Sequence, residues 1–325
     1  MSVILIIIIS CNKEPINNTG CPNFYSDPSP PYRSPIAHPS GEIIGFNYRP
    51  IKKIEYNYGY DCPFQANYIY DETKAGFWIA DSSGNNMRQV FPFYLHSASW
   101  SPDGNWIVFT TGNIYIMPFD GENFDTTSVI QLTDSGHDAS PSWSRDGKYI
   151  SYNNTECGSA VQPPPDNGCG ILIKNLDENE TRFIIGNGGR FSYWGPSNDT
   201  IFYALYYYDL VNNIENVILD TRSILFTLRS RPLYHPNKNK IFFTGDYTYV
   251  DDTTNLYSID PSGSNFHLVS NEPIKDFSFT PEGKIIYVLY DGYRLDEYLG
   301  TIWIMDDDGT NKRQLTKNTI EYSYR

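Results

Sequence analysis

The stretch that decides the fold is SWSPDGNWIVF, which occupies residues 99–109. A closely similar stretch, SWSRDGKYISY, follows 43 residues later at 142–152. In both, an Asp-Gly turn separates two segments rich in aromatic and β-branched residues, which is the pattern of a β-hairpin. Weaker copies of this pattern begin at Ala37, Tyr193, Tyr234 and Phe279. Six phased copies indicate a repeat protein.

A second pattern follows downstream, in which an alternating strand leads into a turn rich in Asp, Asn and Gly. Examples are TIWIM at 301–305, which leads into DGTN at 308–311, and FWIAD at 77–81, which leads into SGNN at 83–86. Four short strands in a unit of about 45 residues are typical of a propeller blade. The sequence therefore predicts an all-β fold, a six-bladed β-propeller of four-stranded antiparallel blades.

The repeat phase also sets the expected boundaries within a propeller domain at 36–325. The predicted blades span residues 36–91, 97–134, 138–185, 189–228, 230–270 and 274–318. Residues 319–325 are in phase with a first strand. We expect them to supplement the first blade and to close the ring as a clasp between the two ends.

These motifs resemble the WD-repeat-like β-propeller of the TolB type, whose blades carry a Trp-Ser-Pro-Asp-Gly turn and an Asp-Gly turn before a Leu-Thr pair. The resemblance covers about residues 36–318 and is strongest in the blades at 97–134 and 138–185. It implies a propeller that serves as a protein-interaction platform. Some propellers of this kind are instead lyases or stand beside hydrolase domains.

The N-terminus carries an apolar run, Val3–Ile9, followed by Ser10 and Cys11. The run is far shorter than the roughly 20 residues that cross a bilayer as a helix, and a short apolar core ending in a small residue indicates a secretory signal. The segment 8–11 resembles a bacterial lipobox, which predicts lipidation of Cys11. The alternative is a hydrophobic tail with an ordinary cysteine.

The lipobox interpretation predicts a signal peptide at 1–10 and a proline-rich tether at 11–35. It predicts a lipoprotein of the bacterial outer membrane, with its domain on the periplasmic or the cell-surface side. An exported protein meets an oxidising compartment, so the remaining cysteines are expected to form disulfides. Cys157 and Cys169 lie in one insertion and are expected to pair, which leaves Cys21 and Cys62. A metal site is the weaker alternative, because the sequence has no CxxC motif.

Charge and composition exclude several classes of protein. Lys and Arg number 24 and Asp and Glu number 38, for a net charge of −14. This balance opposes binding to nucleic acid, and to an anionic membrane through a basic patch. Hydrophobic residues at 40% and aromatic residues at 16% are too frequent for a disordered chain.

Long insertions are predicted between the second and third strands of several blades, all on one face of the propeller. They lie at 47–75, 153–170, 206–213, 246–254 and 290–299. Binding residues concentrate on such loops, and tyrosine suits interfaces because it offers contact area and a polar tip. The predicted partner-binding residues are Tyr58, Tyr60, Tyr206, Tyr207, Tyr208, Asp209, Tyr247, Tyr249, Asp251, Tyr293, Arg294 and Tyr298. Packing between blades is the alternative role for some of them, and stacking on sugar rings is another.

A second group of polar residues precedes the first strands, at the expected mouth of the central channel. This group contains His96, His137, Arg190 and Arg229. A metal site needs about three converging ligands, and two histidines with Asp138 fall short. We therefore predict no metal, no cofactor and no catalytic residue.

Other residues that share the repeat phase are expected to pack between blades. They are Trp100, Trp143, Trp194, His38 and His235.

Together these features predict a membrane-anchored, non-enzymatic interaction module of the bacterial cell envelope, which binds a protein partner through the loop-rich face. The alternative is an envelope propeller that binds or degrades glycans, and a bound transition metal would favour it. A peptidase is disfavoured, because the sequence contains no GxSxG motif.

Overall fold

The structure is a computed structural model that describes residues 29–57, 65–155, 170–186, 191–221, 223–247, 254–290 and 300–324. The first blade and its insertion contain β1 (Tyr32–Ala37), β2 (Ile43–Tyr48), β3 (Ile51–Asn57), β4 (Gln65–Tyr70), a 3₁₀ turn (Glu72–Lys74), β5 (Gly76–Asp81) and β6 (Arg88–Phe91). The second contains β7 (His96–Trp100), β8 (Trp106–Thr110), β9 (Ile114–Pro118) and β10 (Ile130–Gln131). The third contains β11 (Asp138–Trp143), β12 (Tyr149–Asn154), β13 (Gly170–Asn175) and β14 (Thr181–Gly186).

The remaining blades follow the same order. The fourth contains β15 (Tyr193–Trp194), β16 (Thr200–Tyr203), β17 (Tyr206–Asp209) and β18 (Ile214–Val217). The fifth contains β19 (Phe226–Leu228), β20 (Leu233–Tyr234), β21 (Ile241–Tyr247), β22 (Asn255–Ile259) and β23 (His267–Ser270). The sixth contains β24 (Ile274–Phe279), β25 (Ile285–Leu289), β26 (Thr301–Met305) and β27 (Arg313–Gln314), and β28 (Glu321–Tyr324) follows it.

Each blade is an antiparallel sheet whose strands follow in chain order, and in the first blade β3 and β4 leave the order β1-β2-β5-β6 to form a separate sheet. In the fifth blade, β19 and β20 both pair with β21 and together take the place of one first strand. The predicted all-β fold of six four-stranded antiparallel blades is confirmed. Among the described residues no helix is long and apolar enough to cross a membrane.

The repeated turn between the first two strands is built by its own side chains. In the second blade the hydroxyl of Ser101 donates to Oδ1 of Asp103 at 2.5 Å, and the N–H of Trp106 donates to that hydroxyl at 3.0 Å. Gly104 takes φ +77°, a left-handed conformation that favours glycine. The same bonds recur around Ser144 in the third blade, which explains why this motif marks the repeat.

The tryptophans that share the repeat phase tie neighbouring blades together. The indole N–H of Trp143 donates to the carbonyl of Ser99 at 3.2 Å, and that of Trp194 donates to the carbonyl of Ser142 at 3.1 Å. Trp100 is also buried, but its N–H has no described partner. The predicted packing role of these residues is confirmed.

Histidines at the next position of the repeat bridge to the turn of the following blade. Nε2 of His38 lies 3.0 Å from the carbonyl oxygen of Gly104, and Nε2 of His235 lies 3.1 Å from that of Gly283. The predicted structural role of both histidines is thereby confirmed. Because each imidazole ring lies against the turn, there is no room for a Cβ at Gly104 or at Gly283.

Replacing Gly283 with alanine is expected to destabilise the fold, because an added Cβ would lie 2.5 Å from the His235 ring and φ is +91°. Gly121→Ala is the matched control, since φ is +97° there and no atom lies within 4 Å. Both variants should lose about 1 kcal/mol from backbone strain, and Gly283→Ala a further 1–3 kcal/mol from overpacking. Urea unfolding measures the difference; equal losses would contradict the packing argument.

The stability of the fifth blade is expected to depend on pH through His235. Nδ1 accepts a hydrogen bond from the N–H of Asn237 at 3.1 Å, so the folded ring is neutral, with its proton on Nε2. Burial lowers the pKa of His235 below its usual value of 6.5, although Asp307 opposes the shift. The unfolded chain therefore binds the proton more readily, and the stabilisation present above about pH 6.5 is lost as pH falls.

The measurement is the free energy of unfolding from pH 8 to 5 for wild type and His235→Gln. The wild type should lose up to about 1.4 kcal/mol per pH unit more than the variant within the window below pH 6.5. Parallel pH profiles for the two proteins would refute the assignment of a neutral ring.

The ring closes by packing between the first and sixth blades. β1 lies against β24 and β25, and Tyr32, Phe46, Ile286 and Ile302 share one buried cluster. The N–H of Tyr32 donates to the carbonyl of Gly300 at 3.3 Å. Closure therefore needs no exchange of strands between blades.

The strand predicted at 319–325 forms as β28, but its predicted pairing is wrong. β28 does not supplement the sheet of the first blade, because β1 already occupies the position beside β2. It runs parallel to β3 instead and joins β3 and β4 in a three-stranded sheet. β28 thus pairs with the insertion of the first blade rather than with the sheet of that blade.

Candidate functional site

The insertion of the first blade at 47–75 contributes two strands, β3 and β4, to the loop-rich face. Ile54 is fully buried beneath its sheet, and the rings of Tyr56 and Tyr322 lie parallel with centroids 6.3 Å apart. The hydroxyl of Tyr70 bonds to the backbone of Ser29, and the Arg49 guanidinium lies 4.1 Å from the centre of the Tyr70 ring. We call β28, β3 and β4 the clasp sheet, which holds tyrosines on this face in an ordered arrangement.

The clasp sheet was not predicted, because this segment was expected to be a loop. The signal was present, because IKKIEYN at 51–57 and QANYIY at 65–70 both carry β-branched and aromatic residues. The outer side of the sheet carries Lys53 and Glu55, whose charged groups lie 2.8 Å apart, and the exposed Ile69.

The fourth blade has no insertion where one was expected. β16 and β17 are joined by Ala204 and Leu205 alone, and Leu205 is buried. Tyr206, Tyr207 and Tyr208 therefore belong to a strand that pairs residue by residue with β16. The predicted loop placement of these three tyrosines is wrong. The connection before them is a two-residue turn, Ala204 and Leu205, and the tyrosines follow it as a strand.

The side chains of these tyrosines are half-buried between strands and blades. Tyr206 and Tyr208 pack against the cluster around Trp194, and Tyr207 packs beside Phe202. These contacts are those expected for the alternative role, in which the tyrosines pack between blades. A partner-binding role for their remaining exposed edges stays a prediction.

Asp209 also lies away from the loop-rich face. Its carboxylate accepts hydrogen bonds at 2.9 Å from the N–H groups of Val211 and Asn212, which closes the turn between β17 and β18. These bonds, above all that from Asn212, lower the pKa of Asp209. Turns between third and fourth strands lie on the opposite face, so the predicted placement of Asp209 beside the insertions is wrong.

Tyr247 lies where β21 enters the insertion of the fifth blade, and its side chain is exposed. Its ring contacts that of Phe226 edge-on at 5.3 Å. The other predicted partner-binding residues lie outside the described residues; they are Tyr58, Tyr60, Tyr249, Asp251, Tyr293, Arg294 and Tyr298. Cys11, Cys21, Cys62, Cys157, Cys169 and Arg190 lie outside them as well.

The described residues that were predicted at the channel mouth, His96, His137 and Arg229, differ in their contacts and in their exposure to solvent. Arg229 lines the central cavity and forms an ion pair with the buried Asp246, with 2.5 Å between Nε and Oδ2. His96 begins β7 and His137 precedes β11, and both are exposed. Within the described part of the chain, no three His, Cys, Asp or Glu side chains converge to hold a metal ion.

A cavity of about 710 Å³ occupies the centre of the propeller, bounded by the first strands of all six blades. Its wall extends to the short turns at Pro39, Pro102 and Pro281. The cavity therefore belongs to the side of the short turns rather than to the loop-rich face. Its size is that of an ordinary small-molecule site.

One position of the repeat, four residues before the first turn, lines this cavity in every blade. We call these residues the channel ring: Ser34, Ser97, Ser140, Phe191, Arg231 and Asp276. The first four have φ between +49° and +62°. The first strands of blades one, two, three and six shift register around the ring position, as a bulge does when it re-aims a side chain.

The channel ring was not predicted from the sequence. Its residue types differ from blade to blade, so no motif marks them. The signal available was the constant spacing to the turn and the proline that follows Ser34, Ser140 and Arg231.

No protein-family model and no curated protein sequence matches the chain. Solved structures do match it. TolB from Acinetobacter baumannii is 17% identical with a TM-score of 0.59, and the alignment covers 78% of this chain and 63% of that chain. A putative TolB from Agrobacterium tumefaciens is 18% identical with a TM-score of 0.54, over 74% of this chain and 89% of that one.

An oligogalacturonate lyase in complex with manganese is 9% identical with a TM-score of 0.52, and 87% of this chain and 76% of the lyase are covered. The chain spans 63% of the length of the Acinetobacter TolB. At these identities the similarity concerns the fold alone, and one fold hosts many functions. The chain is thus a β-propeller similar to that of TolB.

Proposed function

We propose that the protein is a membrane-anchored, non-enzymatic interaction module of the bacterial cell envelope, which binds a protein partner through its loop-rich face. The clasp sheet is the observation that carries this proposal. It places the exposed Tyr322 parallel to the Tyr56 ring, which packs against the buried Ile54. β28 holds this arrangement by pairing with β3, while Ile69 is exposed on the other side of the sheet. A pre-ordered aromatic surface loses little conformational entropy when a partner binds.

The chemistry of this face also suits a protein partner. Tyrosine is enriched at interfaces, and the outer side of the clasp sheet combines the apolar Ile69 with the charged Lys53 and Glu55. The structural similarity to TolB supports an envelope location, and the lipobox-like segment ending at Cys11 supports an anchor.

The partner is tested by purification from native membranes with two matched variants. Ile69→Asp places a charge on the clasp sheet, and Val211→Asp places one on an exposed turn of the opposite face. The proposal expects a stoichiometric partner with wild type and Val211→Asp, reduced about tenfold or more with Ile69→Asp. Equal recovery with both variants would place the interface elsewhere.

The anchor is tested separately by Cys11→Ala. The full-length protein should sediment with membranes, and the variant should move to the soluble fraction, because a multiply acylated cysteine supplies the stable attachment. A variant that still partitions with lipid would disprove the anchor. Ser10→Gly is a control that keeps the cysteine and a small preceding residue.

Glycan binding is the second candidate, and the exposed Tyr322 is the observation that favours it. Its ring stacks parallel to that of Tyr56, and aromatic faces suit sugar rings as well as proteins. Binding on a glycan array that Tyr322→Ala abolishes, together with no captured protein, would favour this function over a protein partner.

A further inference from the structure

The channel ring carries opposite charges on neighbouring blades, Arg231 in the fifth and Asp276 in the sixth. Both side chains face the same cavity. Neither forms an ion pair with the other or with any other described side chain.

Arg231 reaches across the channel to backbone carbonyls. Nη1 donates to the carbonyl oxygen of Pro141 at 3.2 Å and Nη2 donates to that of Ser192 at 2.7 Å. Nε is buried without a partner, and the guanidinium carbon lies 5.9 Å from the centre of the Tyr193 ring. Burial lowers the pKa of Arg231 to about 10. Two of its nitrogens are thus partnered by backbone carbonyls, and no described carboxylate balances its charge.

Asp276 is held at the neighbouring position of the ring. Oδ2 accepts a hydrogen bond at 3.1 Å from the N–H of Ser34, the ring residue of the first blade. Burial raises the pKa of this carboxyl, although Lys275 and Arg33 oppose the shift. A cation placed beside Asp276 would favour its ionised form, and an anion beside Arg231 would supply the missing counter-ion.

We propose that the central channel binds a short zwitterionic peptide, whose carboxylate pairs with Arg231 and whose ammonium group pairs with Asp276. A cavity of about 710 Å³ admits a ligand of that size. The hydroxyls of Ser97 and Ser140 on the same ring offer donors and acceptors for peptide groups. The site is separate from the loop-rich face, so it does not depend on the proposed partner.

The test uses trialanine and its two capped forms, with binding to the full-length protein measured by calorimetry. Acetylation removes the ammonium group, and amidation removes the carboxylate. Wild type is expected to bind trialanine about tenfold or more tightly than either capped form.

Two variants assign each end of the peptide. Arg231→Gln should bind trialanine and its amide equally, while it still discriminates against the acetylated peptide. Asp276→Asn should show the reverse selectivity. A merely structural role of Arg231 as a tie between blades would lower affinity for all three peptides together, so the selectivity pattern separates the two roles.

Val211→Ala is the control, an exposed residue that does not line the cavity, and it should keep the wild-type selectivity. Thermal unfolding of each variant confirms that the propeller is folded before binding is compared. No binding of trialanine to folded wild type, or equal binding of all three peptides, would overturn the proposal.

Discussion

Trp194→Ala is expected to lower the free energy of unfolding by about 3–5 kcal/mol, the cost of removing a large aromatic side chain from a core. Trp194 is 5% exposed and lies in the cluster that joins the third and fourth blades. Its indole N–H also donates to the carbonyl of Ser142 in the preceding blade. Urea unfolding monitored by circular dichroism measures the loss.

Phenylalanine variants separate the hydrogen bond from the packing. Trp143→Phe removes the donor that serves the carbonyl of Ser99, whereas Trp100→Phe removes a buried donor that has no described partner. Trp143→Phe should therefore cost about 1–2 kcal/mol more than Trp100→Phe. Equal costs at the two positions would show that the indole bonds do not tie the blades together.

Tyr32→Ala is the second large effect, also about 3–5 kcal/mol, because it removes the aromatic residue at the seam that closes the ring. Tyr32 is 2% exposed and packs against Phe46 and Tyr48 with ring centroids 5.6 and 4.5 Å apart. Its hydroxyl donates to the carbonyl of Lys317, beyond the sixth blade. The side chain thus joins the first blade to the segment that follows the last.

Two controls accompany Tyr32→Ala in the same unfolding experiment. Tyr32→Phe keeps the ring and loses one hydrogen bond, for about 0.5–1.5 kcal/mol. Tyr247→Ala removes a tyrosine that is 39% exposed and outside the seam, and should cost much less than Tyr32→Ala. If Tyr32→Ala is as mild as Tyr247→Ala, closure does not depend on this packing.

The features that could be predicted from the sequence are those that the same local hydrogen bonds build in several blades. The Ser-X-Asp-Gly turn forms hydrogen bonds among its own side chains and backbone, so its copies at 101–104 and 144–147 predict the same hairpin. The alternating strands around them follow from the same spacing. Blade number and strand order could be predicted for this reason.

The features that sequence did not predict depend on contacts between distant segments. The partner of β28 depends on the position beside β2 already being filled, which no local pattern shows. The two-residue turn at Ala204 and Leu205 contains no Gly, Asn, Asp or Pro that would mark it, so 206–213 was expected to be an insertion rather than the next strand. Arg231 and Asp276 become members of one ring only when six first strands surround a common channel.

The most direct test of the interaction function is site-specific photo-cross-linking in cells that produce the full-length protein. A photoreactive amino acid replaces Ile69 on the clasp sheet, which is 36% exposed, or Val211 on the opposite face, which is 68% exposed. The account predicts one discrete protein adduct from position 69 that position 211 does not give, although position 211 is the more accessible. The same adduct from both positions, or an adduct from position 211 alone, would contradict it.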